Sequence, residues 1–241
     1  MIRLKPISDI EIATAADQAF KIIAQGGLVV APHDVGYGLV GHSRASVERL
    51  FAAKGRLADN PCVVPANIPT LRNISAVADP ELLTWVAHVS DTTPLGVVVP
   101  MNHRSDHIRA LDPSVRDKAS KGGTMAVFLN SGGLIGPLAD RACSSGMLLV
   151  ASSANLSGSG NSYSIADVAE SILDEVDIAF DNGPARLSNP AGLATTIVDL
   201  DPPAIVRVGV NCDEIERSYR TFAAHRANLP AALHRPGATF G

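Results

Sequence analysis

Eight apolar runs of four to six residues punctuate this sequence: Leu28 to Pro32, Cys62 to Ala66, Leu95 to Pro100, Thr124 to Leu129, Met147 to Ser152, Ile178 to Asp181, Thr195 to Leu200 and Ala204 to Val208. Each has the length and β-branched content of a buried strand. Between them the apolar spacing changes to three and four, as at Ile12, Ala15, Ala16, Ala19, Phe20 and Ile23, where a helix is expected to close at Gly26-Gly27. Further helices are expected from the Ser43 cap to Gly55, from Asp79-Pro80-Glu81 to Val89, and over Leu134 to Ser144, Ser164 to Leu173 and Cys212 to Arg226. Strands alternating with amphipathic helices restrict the chain to an α/β sheet protein. No repeat or linker-like run divides it, so one domain is expected over 1–226, with a loose tail over 227–241.

The apolar runs fall far short of the ~18 residues of a membrane span. The start, MIRLKPISDIEI, lacks a secretory apolar segment, and Asp9 and Glu11 do not suit a transit peptide, so a cytoplasmic protein is expected. Cys62, Cys143 and Cys212 are odd in number and form no CxxC pair, which leaves them reduced thiols rather than a disulfide or zinc framework. A hydrophobic fraction of 46% with 18% charged residues excludes a disordered or coiled-coil chain. Twenty Lys and Arg against twenty-four Asp and Glu give a net charge of -4, which excludes a generally basic nucleic-acid binder.

Several segments carry candidate chemistry. Gly36, Gly38 and Gly41 spell GxGxxG between a strand and a helix, with Asp59 eighteen residues on, the pattern of a dinucleotide site. Pro32 to Val35 intervene between strand and glycines, however, and Ser43 caps the helix better than Gly41 does. His103 and His107 flank Asp106 at a helical spacing suited to a metal, in a polar stretch that reads equally as a solvated turn. HExxH, GxSxG and Walker A motifs do not occur. Lys54-Gly55-Arg56 closes a helix, where cations offset the macrodipole or face an anion. Ala151 to Gly158, ASSANLSG, leaves a buried strand with small hydroxyl and amide side chains that can converge on one anion or form only a turn.

Taken in order, PHDVGYGLVG, KGRLADNP, SANLSG, TTIVD and VRVG resemble the motifs of the YrdC-domain family, the L-threonylcarbamoyl-AMP synthases of tRNA modification. The resemblance runs from about Ile12 to Val210. It implies a twisted mixed sheet flanked by helices around a basic cavity, and a nucleotidyl transfer that joins threonine, bicarbonate and ATP into threonylcarbamoyl-AMP and pyrophosphate, with magnesium bridging the phosphates. By the same resemblance Lys54 and Arg56 are the catalytic, phosphate-facing cations, and Ser153, Asn155, Thr195 or Thr196, and Arg207 complete the nucleotide site. Partners implied are ATP, bicarbonate, an amino acid and, indirectly, tRNA-modification proteins.

On the amino-acid side the motifs diverge. His33 stands where the family has threonine, Gly36-Tyr37-Gly38 replaces VYG, Pro65 replaces a histidine, Phe128 an arginine, and Gly96 a threonine. Phenylalanine cannot make the bidentate contact that an arginine offers a carboxylate. Either another cation (Arg104, Arg141 or a protonated His33) takes over, or the amine is not threonine. The alternative to an enzyme is a non-catalytic module holding a nucleotide or an RNA end.

Overall fold

The computed structural model describes residues 4–55, 60–156, 158, 160–224, 226 and 229–235. Its elements in chain order begin with β1 (Leu4–Pro6), α1 (Ile12–Ala24), β2 (Val29–His33), β3 (Gly36–Gly41), α2 (Arg44–Lys54) and β4 (Val63–Pro65). There follow α3 (Ile68–Ile74), α4 (Pro80–Ser90), β5 (Leu95–Pro100), α5 (Asp106–Ala110), α6 (Pro113–Lys118), β6 (Ser120–Lys121) and β7 (Thr124–Leu129). The chain closes with α7 (Ile135–Ser144), β8 (Val150–Ser153), α8 (Glu170–Leu173), β9 (Ile178–Asp181), β10 (Ile197–Leu200), β11 (Pro203–Arg207) and α9 (Cys212–Ala223).

Among the described residues the strands join one mixed sheet in the order β1-β9-β2-β3-β8-β4-β7-β5-β10-β11, with β6 beside β7. This is the mixed sheet with flanking helices in a single domain that the sequence implies. Its strands read as continuous apolar runs because both faces are covered. Val29 and Ala31 of β2 pack with α1 and α7, whereas Leu28 and Val30 face the larger core that holds Leu50, Trp85 and Tyr219. Helix α2 starts where Ser43 accepts the Ser46 N–H and stops at Gly55, whose φ of +56° a side chain would strain. All three cysteines are buried and unbridged.

Three expectations need correction. The glycines of GxGxxG are not a strand-to-helix turn: Gly36–Gly41 is β3, antiparallel to β2 from His33↔Gly36 to Val29↔Val40. A dinucleotide turn needs its glycines at a helix N-terminus, so the NAD reading loses its context. The helix expected over Ser164 to Leu173 splits into a 3-10 turn at Ile165–Asp167 and α8, because Asp167 folds back to accept the N–H groups of Tyr163 and Ser164, and Val168 is extended. The segment expected to form a loose tail packs, in its described residues 229–235, on the body: Leu233 is buried, Ala204 pairs with His234, and Arg235 bridges Asp213 and Glu216.

Candidate functional site

Small side chains aligned across the sheet create a concavity. In register lie Gly38 with Ser153, Ala151 with Val63, Val63 with Ala126, and Phe128 with Gly96, which in turn faces Ile197. Large residues at these positions would fill the face; glycine, alanine and serine leave a cavity of about 480 Å³. That volume suits a small-molecule ligand. A Cβ on Gly96 would sit 2.8 Å from Ile197 Cγ1, so the strands there approach only because the side chain is missing.

Eight of the sequence-derived positions meet at this cavity: His33, Gly38, Gly96, Phe128, Ser153, Asn155, Thr195 and Arg207. Arg207, at the end of β11, donates from Nε to Thr195 O at 2.9 Å and is the one charged side chain among the described lining residues. Lys54 does not line the wall. Buried to 3% exposure at the end of α2, it donates from Nζ to the carbonyls of Ser153 and Asn155 and lies 3.3 Å from Asn155 Oδ1. The loop after β8 is therefore shaped by the last residue of α2.

Three other positions are not brought to the cavity wall. Thr196 is fully buried, its hydroxyl donating to Val210 O at 2.8 Å and accepting from Gly209 N at 3.1 Å. A Cβ on Gly209 would lie 2.2 Å from Ala194 O, so the TTIVD and VRVG segments clasp each other backbone to backbone. Tyr37 is fully buried, its hydroxyl 2.7 Å from Gly183 O and 2.9 Å from Asp181 Oδ1; burial, then the hydrogen bond to Asp181, pushes its ionisation well up. Pro65 pairs with Phe128 in the sheet and is buried without lining the cavity. Arg56 and Asp59 lie outside the described residues.

His33 ends β2 at 8% exposure, its ring meeting Phe128 edge-on at a 5.4 Å centroid distance. Val35 N–H donates to its Nδ1 at 3.2 Å, so Nδ1 carries no proton and the neutral ring is protonated at Nε2. Burial lowers its pKa to about 4; Asp34 opposes the shift and Arg207 adds to it. The hairpin turn that presents it is clamped from outside, by Asp34 N–H donating to Ser131 O, Asn161 Nδ2 to Val35 O, and an Arg186–Asp34 ion pair. Asn161 and Ile135 also line the cavity and were missed from sequence. For Asn161 the available signal was the glycine-rich continuation of SANLSG; for Ile135 there was none.

A larger groove, about 830 Å³, lies among α1, α3, α4 and α7. Apart from Arg141, offered above as a replacement cation, none of the sequence-derived nucleotide or amine-pocket positions lines it. Of its charged residues, Asp17 pairs with Arg141 and Asp140 accepts from Asn67. Arg141 is thus held away from the His33 cavity. His107, the other part of the candidate metal pair, has its Nδ1 3.0 Å from Asn73 Oδ1.

A small-residue floor in a mixed sheet, walled by a Ser-Ala-Asn loop, a threonine and an arginine, defines an α/β protein with a ligand cavity. The Sua5, YciO and YrdC family model, described as "Telomere recombination", matches residues 21–209, and the chain belongs to that family. It is 29% identical over 214 residues to the threonylcarbamoyl-AMP synthase of Pyrococcus abyssi (strain GE5 / Orsay), covering 85% of this chain and 57% of that relative, little more than half its length. Among solved structures, a hypothetical protein of Streptococcus mutans UA159 superposes with a TM-score of 0.81 at 19% identity over the whole of both chains. Sua5 of P. abyssi in complex with L-threonine gives 0.70 at 24% identity, covering all of this chain and 68% of that one. No helix among the described residues is long and apolar enough to cross a membrane.

Proposed function

We propose that the cavity binds ATP and that the protein makes a carbamoyl-adenylate from an amine and bicarbonate. The amine nitrogen attacks the bicarbonate carbon with loss of water; a carbamate oxygen then attacks the α-phosphorus, the α–β anhydride bond breaks, and pyrophosphate leaves. The observation that carries this reading is the convergence of Ser153, Asn155, Thr195 and Arg207, 54 positions apart at their extremes, on one cavity. Hydroxyl, amide and guanidinium donors held by the sheet suit a polyphosphate, whose charge they meet without reorganising. Lys54 keeps the loop in shape, and Arg56, two residues on, is assigned to the phosphates by the family motif.

The described lining holds no carboxylate, only oxygen donors such as the Ser153 and Thr195 hydroxyls, so magnesium fits here as the nucleotide's own counter-ion. Bound with the phosphates, it would neutralise charge on the leaving pyrophosphate. The relative's name and the L-threonine complex of Sua5 support an amino-acid-like amine, and the motif resemblance supports a role in tRNA modification. Magnesium-dependent pyrophosphate release, measured with ATP, bicarbonate and a panel of amines, tests the reading. Release that depends on both bicarbonate and an amine is expected; tight ATP binding with no release from any amine would leave a nucleotide-holding module instead.

A further inference from the structure

We propose that the His33 end of the cavity selects an amine carrying an uncharged carbonyl acceptor, such as an amide or ester, over one carrying a free carboxylate, with His33 Nε2–H as the donor. The proposal rests on the function proposed above and names its substrate class.

Three observations carry it. The Val35 N–H occupies the Nδ1 lone pair, so protonating His33 would set two N–H groups against each other; the ring is locked as a neutral Nε2 donor. Nε2 has no acceptor among the described residues, and it is not sealed from the cavity that His33 lines. Nine-tenths buried and open to the cavity, that donor takes its acceptor from whatever occupies the cavity. Finally, the neighbouring wall is Phe128, Ala126, Val127, Ile135 and Ile197, and the one cation among the described lining residues, Arg207, is the group that the function proposed above assigns to the polyphosphate, which leaves a carboxylate beside His33 without a cation of its own. A full charge seated there would be desolvated against a neutral dipole and hydrocarbon, whereas an amide or ester carbonyl oxygen loses little and gains the bond.

The closest matched probes are L-threonine and L-threoninamide, which differ only in the charged end. Each is titrated calorimetrically into the full chain, with and without a non-hydrolysable ATP analogue, and then compared in pyrophosphate release. The amide should bind at least tenfold more tightly and show the lower KM at similar kcat. His33→Phe should abolish that preference, while His33→Gln, which keeps a side-chain N–H at similar reach, should retain most of it; thermal melts confirm that both variants fold. Threonine binding as tightly as the amide, binding of neither, or an unchanged preference in His33→Phe overturns the proposal. If the amide is preferred but the ATP analogue does not bind, the nucleotide reading fails and the selectivity stands. If ATP turns over fastest with free threonine, the function stands and the selectivity fails.

Discussion

Lys54 and Asn155, 101 positions apart, are joined at 3.3 Å between Nζ and Oδ1, and the same ammonium takes up the carbonyls of Ser153 and Asn155. The end of one helix thus fixes the loop that leaves β8. Lys54→Met keeps the buried stem and removes the donors, leaving the carbonyls without a charge-assisted partner. A loss of about 1.5–3 kcal/mol in urea unfolding is expected, with weakened ATP binding alongside it. Unchanged stability would mean that the loop holds its shape without Lys54.

Asn155 and Arg207 reach the cavity from elements on opposite sides of it. Replacing either by Ala should weaken ATP at least tenfold by calorimetry, equivalent to ~1.4 kcal/mol. Because Arg207 is exposed, its variant should unfold at nearly the wild-type urea concentration, which separates a binding effect from a folding one. Wild-type affinity in both variants would remove the basis for placing the nucleotide here.

Thr195 and Thr196 are chemically identical and adjacent, yet only Thr195 lines the cavity. Thr196→Val is nearly isosteric but strips partners from both Gly209 N–H and Val210 O, so it should cost about 1–3 kcal/mol of stability and leave ATP affinity unchanged once folded. Thr195→Val should do the reverse. A Thr196→Val variant as stable as wild type would mean that water replaces the hydroxyl.

The threonine pair shows where sequence reading stops. The strands at β5, β7 and β9 were legible to the residue because each is an unbroken apolar run, and α2 was legible because Ser43 and Gly55 mark its ends. Strand β3 was not, since three glycines in six residues carry no strand propensity; its partners β2 and β8 impose the conformation. Motif order located Ser153, Asn155 and Arg207 at the cavity, but it also suggested that Lys54 faces phosphate and that Tyr37 lines the amine pocket. Which way a side chain turns depends on partners such as Ser153 O and Asp181, which lie 99 and 144 positions away.

Charge bears on the RNA alternative. With a net charge of -4 and Arg207 the one charged side chain among the described residues lining the cavity, few phosphates of a tRNA would be neutralised. Bulk tRNA should bind only weakly without ATP, and its affinity should fall shallowly with salt. Sub-micromolar binding at physiological salt, with a steep salt slope, would favour the RNA-holding module over the enzyme.

The buried state of His33 has a consequence for stability against pH. Its pKa falls from an ordinary 6.5 to about 4 in the folded protein, mainly through burial; Asp34, itself paired with Arg186, opposes the shift, and Arg207 reinforces it. Between those values the unfolded chain binds the proton and the native protein does not, so the native state loses stability as pH falls. The contribution is complete above pH ~6.5 and drains away toward pH ~4, at ~1.4 kcal/mol for each unit. Urea unfolding at pH 7 and pH 5 should therefore show a drop about 2 kcal/mol larger in the wild type than in His33→Gln, which has nothing to titrate at that position. Equal drops would place a proton on His33 in the folded state at pH 5, which the Val35 N–H directed at Nδ1 opposes.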